Sequence, residues 1–168
     1  MQLTPHFSQE ELTFSSTAVR LGIDNTAPPG VVASMTTAAL GMEFVRALLG
    51  DLPIHVDSGY RCEKLERVLC QKDFASWCMR RGMPADDLSW PGYFVTKAHP
   101  QGYAVDFKCP AYGTPLQIVR AIVASGIKFD QCIMEGDWVH ISFAPAMRQQ
   151  AMTATFTAQG ATYSQGVA

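Results

Sequence analysis

The chain has 168 residues, 48% hydrophobic and 17% charged, with a formal charge of −2; that length suits one domain burying about 70% of its unfolded surface. A near-neutral chain without a Lys/Arg cluster lacks the phosphate-neutralising surface that nucleic-acid binding needs. No apolar run approaches the roughly 20 residues that span a bilayer, so neither a nucleic acid nor a membrane is expected as a partner.

The opening MQLTPHFSQEEL has neither the basic nor the apolar region of a signal peptide, so the chain is expected to be cytoplasmic as synthesised. Ser8 followed by Glu11 has capping-box spacing and predicts a short helix. Pro28, Pro29 and Gly30 break the chain. Residues 31–49 carry apolar side chains at helical spacing with Gly50 just past the end, which predicts the longest core helix. Residues 53–57 alternate like a strand, and Ser58, Gly59, Tyr60 and Arg61 turn out of it. A helix is predicted over 63–81, closed by Gly82. Residues 83–97, with two prolines, read as an insertion or lid. Strands are predicted at 103–107 and from 129 onward, with a helix over 114–125 between them. Residues 151–168 carry no charge and much Gly, Ala, Ser and Thr, so 1–150 reads as the single domain and 151–168 as a flexible tail.

The five cysteines, Cys62, Cys70, Cys78, Cys109 and Cys132, form an odd set without a CxxC pair. That disfavours both a disulfide framework and a cysteine zinc site. His6 and His55 have no metal-like neighbours in sequence and read as structural.

The stretch AHPQGYAVD sets His99 seven residues before Asp106, and His140 follows in GDWVHISF. Zinc accepts imidazole nitrogen and carboxylate oxygen, with three protein ligands and an open fourth position in catalytic sites. Singly, His99 is explained as a turn residue beside Pro100 and His140 as a half-buried strand histidine. Together with Asp106 they form a candidate zinc site on two strand segments rich in aromatic and β-branched residues.

Gly136 and Asp137 have the form of a two-residue turn between strands. In that register Glu135 faces Trp138 and Ile133 faces His140, so Glu135 and His140 share one face of the sheet. Glu135 is therefore the candidate general base beside a metal-activated water. Asp137 is the alternative, although turn chemistry explains an aspartate there.

The combination SGYR, HPQGYAVDF and WVHISF resembles the zinc D-alanyl-D-alanine carboxypeptidases and L-alanyl-D-glutamate endopeptidases, cell-wall peptidases with a hedgehog-like fold. The resemblance runs from about Leu3 to Phe143. Its metal motif matches His99, Gly102, Ala104 and Asp106, and its distal histidine matches His140 after Trp138. It implies that Arg61 lies near the zinc and contacts substrate; Ser58 and Tyr60 are weaker substrate-binding candidates, which shaping of the turn also explains. Arg61 has a physical case of its own, because a planar guanidinium can grip a substrate carboxylate or neutralise an oxyanion. The bland alternative pairs it with Glu63 or Asp57. Many members carry a serine two residues before the first zinc histidine, where this chain has Lys97, and their link from SGYR to that histidine is shorter.

The expectation is an α+β domain, a monomer, with a small, mainly antiparallel sheet carrying the zinc site and helices flanking it. The implied function is a zinc metallopeptidase of carboxypeptidase or endopeptidase type acting on peptidoglycan stem peptides or crosslinks, in a phage or prophage lysis or virion role. The rival is a non-catalytic zinc-containing binding or structural module of the same fold. A metallohydrolase acting on a small amide is a third reading.

Overall fold

The computed structural model describes residues 1–158 and 160–167. Helix α1 (Gln9–Thr13) starts where Ser8 Oγ accepts the Glu11 N–H at 3.1 Å. Helix α2 (Ser16–Leu21) follows, and then α3 (Pro29–Leu48), whose proline sits in the first turn, where its missing N–H costs nothing. Strand β1 spans His55–Ser58. Where one helix is expected over 63–81, two form: α4 (Glu63–Leu69) and α5 (Gln71–Met79), jointed at Cys70 with φ −107° and ψ 21°. No proline or glycine marks that joint. Cys70 packs into a cluster with Trp90 and Tyr93, and tertiary packing overrides the helical pattern. Those two aromatics belong to α6 (Trp90–Phe94), so the stretch read as an insertion or lid is packed down on Phe74 of α5. Strand β2 (Ala104–Lys108) is followed by α7 (Pro115–Ser125), which begins with a complete capping box of Thr114 and Gln117. Four strands close the chain: β3 (Gln131–Glu135), β4 (Trp138–Ser142), β5 (Gln150–Thr157) and β6 (Gly160–Gln165).

The α+β class holds, with helices flanking the sheet, but the sheet is neither small nor simply antiparallel. Among the described residues it has six strands in the order β1-β2-β4-β3-β5-β6. It is mixed, because β5 runs parallel to β3 while the other neighbours are antiparallel. The extra strands come from the segment expected to be a flexible tail. Its threonines alternate with Ala154, Phe156 and other apolar residues, and such β-branched and aromatic residues fit a pleated surface. The lack of charge suits a strand laid beside β3. The crossover into β5 is fixed by Asp130, which is 1% exposed. Its carboxylate accepts Arg148 Nε at 2.8 Å and Nη2 at 2.6 Å. Its carbonyl accepts the Gln150 N–H at 3.0 Å.

Strand periodicity divides the sheet into two faces. Val105 and Phe107 of β2, Val139 and Ile141 of β4 and Cys132 of β3 form the main core with α3 and α7. The alternate positions, Asp106, His140, Ile133 and Glu135, project from the other face. Helix α3 has 20 residues with mean hydropathy 1.3, long and apolar enough to cross a bilayer by length and composition, contrary to the expectation that no run reaches that size. Here its Met35, Ala38, Met42 and Val45 are buried in the core.

Candidate metal centre

Pairing across three strands brings the candidate ligands together. Asp106 of β2 lies opposite Ser58 on one side and His140 on the other, and His140 in turn lies opposite Ile133. His99 joins them from the turn before β2. That turn closes with the Gly102 N–H on the His99 carbonyl at 3.0 Å and the Tyr103 N–H on the Ala98 carbonyl at 3.0 Å. Gly102 takes φ +78°, and a Cβ there would lie 2.6 Å from Val31 Cγ1. Only glycine meets both conditions.

All three ligand candidates are buried, and their donor atoms lie within 4.8 Å of one another. His99 Nε2 is 3.2 Å from Asp106 Oδ1 and 3.2 Å from His140 Nδ1, and His140 Nδ1 is 2.8 Å from Asp106 Oδ1. A tetrahedral zinc about 2.0–2.1 Å from each donor separates donors by about 3.3–3.4 Å. The observed triangle is slightly tighter and needs only small outward shifts, so the residues fit a zinc ion.

For His99 and Asp106 the surrounding atoms favour the protonation that such an ion needs. His99 Nδ1 lies 2.6 Å from the Gly59 carbonyl. A carbonyl only accepts, so Nδ1 carries the proton and Nε2 presents its lone pair. Burial and the Arg61 charge push His99 below its ordinary value, favouring that neutral form. Burial alone would raise Asp106, yet His99 and the Arg61 guanidinium hold it well below the usual carboxylate range. For His140, burial is outweighed by the hydrogen bond and charge of Asp106, which raise it.

Gly59 supplies its carbonyl because the chain packs tightly there. A Cβ on Gly59 would lie 2.4 Å from the Leu12 carbonyl oxygen. The neighbouring Tyr60 N–H donates to that same oxygen at 2.7 Å. Helix α1 thus buttresses the turn that orients His99.

Arg61 donates from Nη2 to Asp106 Oδ2 at 2.5 Å and from Nε to Ser58 Oγ at 2.9 Å. Its Nη1 lies 3.6 Å from Glu66 Oε2, and Glu66 is 1% exposed on α4. Neither Glu63 nor Asp57 is its partner: Arg67 pairs with Glu63, and Lys108 lies 3.6 Å from Asp57. Ser58 therefore positions Arg61. Tyr60 lies in the core, at 7% exposure, and is not on the cavity wall.

The metal triad opens on a cavity of about 590 Å³, a size typical of ligand sites. Glu135 lines it, its Oε2 accepting the Trp138 Nε1–H at 3.0 Å. Burial and the Asp106 charge raise Glu135 above the usual glutamate value, against the pull of His140, Trp138 and Arg61. The hairpin register is the one expected, with Glu135 opposite Trp138. Asp137 instead sits at the exposed tip and accepts from Lys108 Nζ at 3.0 Å. Lys97 also lines the cavity, with Nζ 4.3 Å from the Tyr93 ring centroid and no carboxylate partner among the described residues. His6 pairs with Glu43 at 2.8 Å and exposed His55 lies 3.3 Å from Asp57, and neither lines the cavity.

Sequence reasoning missed Glu66 and the cavity residues of β5 and β6, Met152, Phe156 and Tyr163. A glutamate in a helix gives no sign of burial. The strands did carry a signal, in alternating Thr, Ala and aromatic residues around Gly160.

Residues 5–70 match the family described as peptidase M15. The search of curated proteins and the search of solved structures each gave no match. The matched segment carries Ser58, Gly59 and Arg61 and stops before His99, Asp106 and His140, so the ligand triangle is an observation independent of it. The match covers less than half of the chain, so it makes the N-terminal part, residues 5–70, similar to peptidase M15.

Proposed function

From that partial similarity and the ligand triangle we propose that the chain is a zinc-dependent peptidase that hydrolyses peptide bonds in peptidoglycan stem peptides or crosslinks. The observation that carries the reading is the placement of Glu135 and the His99, Asp106, His140 triangle on one sheet face around one cavity.

His99, Asp106 and His140 would hold the zinc, which supplies a Lewis acid for the scissile carbonyl and lowers the pKa of water. Glu135 takes the proton from the attacking water and returns it to the leaving amine, and its raised pKa suits both transfers. Arg61 fixes the Asp106 carboxylate and brings positive charge to the cavity wall, where oxyanion charge develops. With Arg61 committed to Asp106, Ser58 and Glu66, Lys97 is the cation left to meet a substrate carboxylate. Lysis or a virion role in a phage or prophage would bring the chain to such a substrate.

The test compares zinc-loaded and chelated protein on purified peptidoglycan, with the cut bond identified by mass spectrometry. New amino termini that vanish on chelation and in His140→Ala support the reading. Intact peptidoglycan with one zinc per chain would sink it and favour a non-catalytic zinc-containing module. D-Ala-D-Ala assayed beside peptidoglycan separates carboxypeptidase from endopeptidase action and exposes a small-amide hydrolase.

A further inference from the structure

Strands β5 and β6 do more than extend the sheet. Met152, Phe156 and Tyr163 line the same cavity as the metal triad. Across the hairpin Phe156 lies opposite Ala161, and Tyr163 lies opposite Ala154. Each aromatic thus faces a methyl group that is too small to cover its ring. Phe156 and Tyr163 remain 54% and 50% exposed, whereas Met152 beneath them is 8% exposed. The Phe156 ring also lies 5.7 Å from the Trp138 ring, tilted by 37°, and the Trp138 indole is hydrogen-bonded to Glu135. An apolar platform therefore runs from the hairpin to the proposed base.

The hairpin is held in place. Asp73 of α5 accepts the Ala161 N–H at 3.2 Å, and β5 is bonded along β3. Rigid aromatic side chains on a fixed backbone offer contact area at low entropic cost.

We infer that the β5–β6 hairpin is the specificity wall of this cavity, with Phe156 and Tyr163 gripping the part of an oligopeptide substrate that lies beyond the residues flanking the scissile bond. The inference rests on the peptidase reading and adds a preference for longer peptides over dipeptides.

The probes are the stem pentapeptide L-Ala-γ-D-Glu-L-Lys-D-Ala-D-Ala and the dipeptide D-Ala-D-Ala, assayed with zinc-loaded protein. Phe156→Ala and Tyr163→Ala should each raise KM for the pentapeptide about tenfold. Neither should alter zinc content, dipeptide cleavage should fall less than pentapeptide cleavage, and Phe156→Leu should fall between Phe156→Ala and the parent. Unchanged pentapeptide KM, or equal losses on both probes, overturns the inference. If the parent cleaves neither probe, purified peptidoglycan decides the peptidase reading, and a pentapeptide titration of zinc-loaded protein carrying 13C-methyl methionine decides the hairpin's role. A shift of the Met152 methyl that is lost in Phe156→Ala upholds the wall, and an unmoved Met152 overturns it.

Discussion

Arg61 and Asp106 are 45 residues apart in sequence, yet a 2.5 Å hydrogen bond joins Nη2 to Oδ2 and leaves Oδ1 facing both histidines. One carboxylate oxygen is thereby committed to the arginine, and the other is left where it could hold an ion. Outer partners of this kind typically govern metal affinity by about 10–100-fold. In Arg61→Lys the fork that spans Asp106, Ser58 and Glu66 is lost. Competition with a chelator should show zinc held about 10–100-fold more weakly. Unchanged affinity would remove Arg61 from the metal's support.

Glu135 and Asp137 are separable by charge-neutral variants. Glu135→Gln should lower kcat by about 10²–10⁴ while zinc stays stoichiometric. Asp137→Asn, which removes only an exposed contact to Lys108, should turn over like the parent. The reverse ranking would transfer the base to Asp137.

The pH profile follows from the direction of the Glu135 shift. A base acts when deprotonated, so kcat/KM falls as pH drops through its pKa. Burial has raised that pKa, so the acid limb should lie above the usual glutamate value. In Glu135→Gln that limb should vanish from the residual activity. A limb that survives in the variant belongs to another group.

Zinc should stabilise the fold by mass action, since ordered ligands exist only in the native state. At a free zinc concentration 100 times Kd the gain is about 2.7 kcal/mol, or about 5–10 °C in Tm for a chain of this size. Scanning calorimetry with and without chelator measures it. Equal Tm values would mean that the triangle binds no zinc.

Asp130 offers a stability test away from the cavity. Hydrogen bonds from Arg148 lower its pKa in the fold, against the cost of burial. Its contribution is therefore complete above its unfolded value of about 3.9 and is lost as pH falls through the lower folded value. Asp130→Asn should cost about 2 kcal/mol at neutral pH, since Arg148 is half exposed and recovers water. In denaturant titrations the difference from the parent should close in strong acid. A constant difference across pH would show that charge is not the cause.

Much of the metal centre was legible because its pieces are local. His99, Gly102 and Asp106 lie in one turn and strand, and the Gly136 turn fixed which face Glu135 shares with His140. Contacts that depend on distant packing were not. Glu66 meets Arg61 through a burial that nothing in the α4 sequence signals. Tyr60 looked like a site residue by proximity to Arg61, but the bond of its backbone to Leu12 accompanies a side chain in the core. The C-terminal strands were misread because composition outweighed alternation, although the alternating pattern was present.

The support for the ligands crosses the whole chain. His99, Asp106 and His140 all follow residue 98, whereas the Gly59 carbonyl and the Arg61 guanidinium that orient them precede residue 62. Between these sets residues 79–88 are exposed without interruption. A chain severed there would keep every ligand on one fragment and their alignment on the other. Tight zinc capture would then report reassociation of the two fragments, making the ion a gauge of long-range assembly as well as a cofactor.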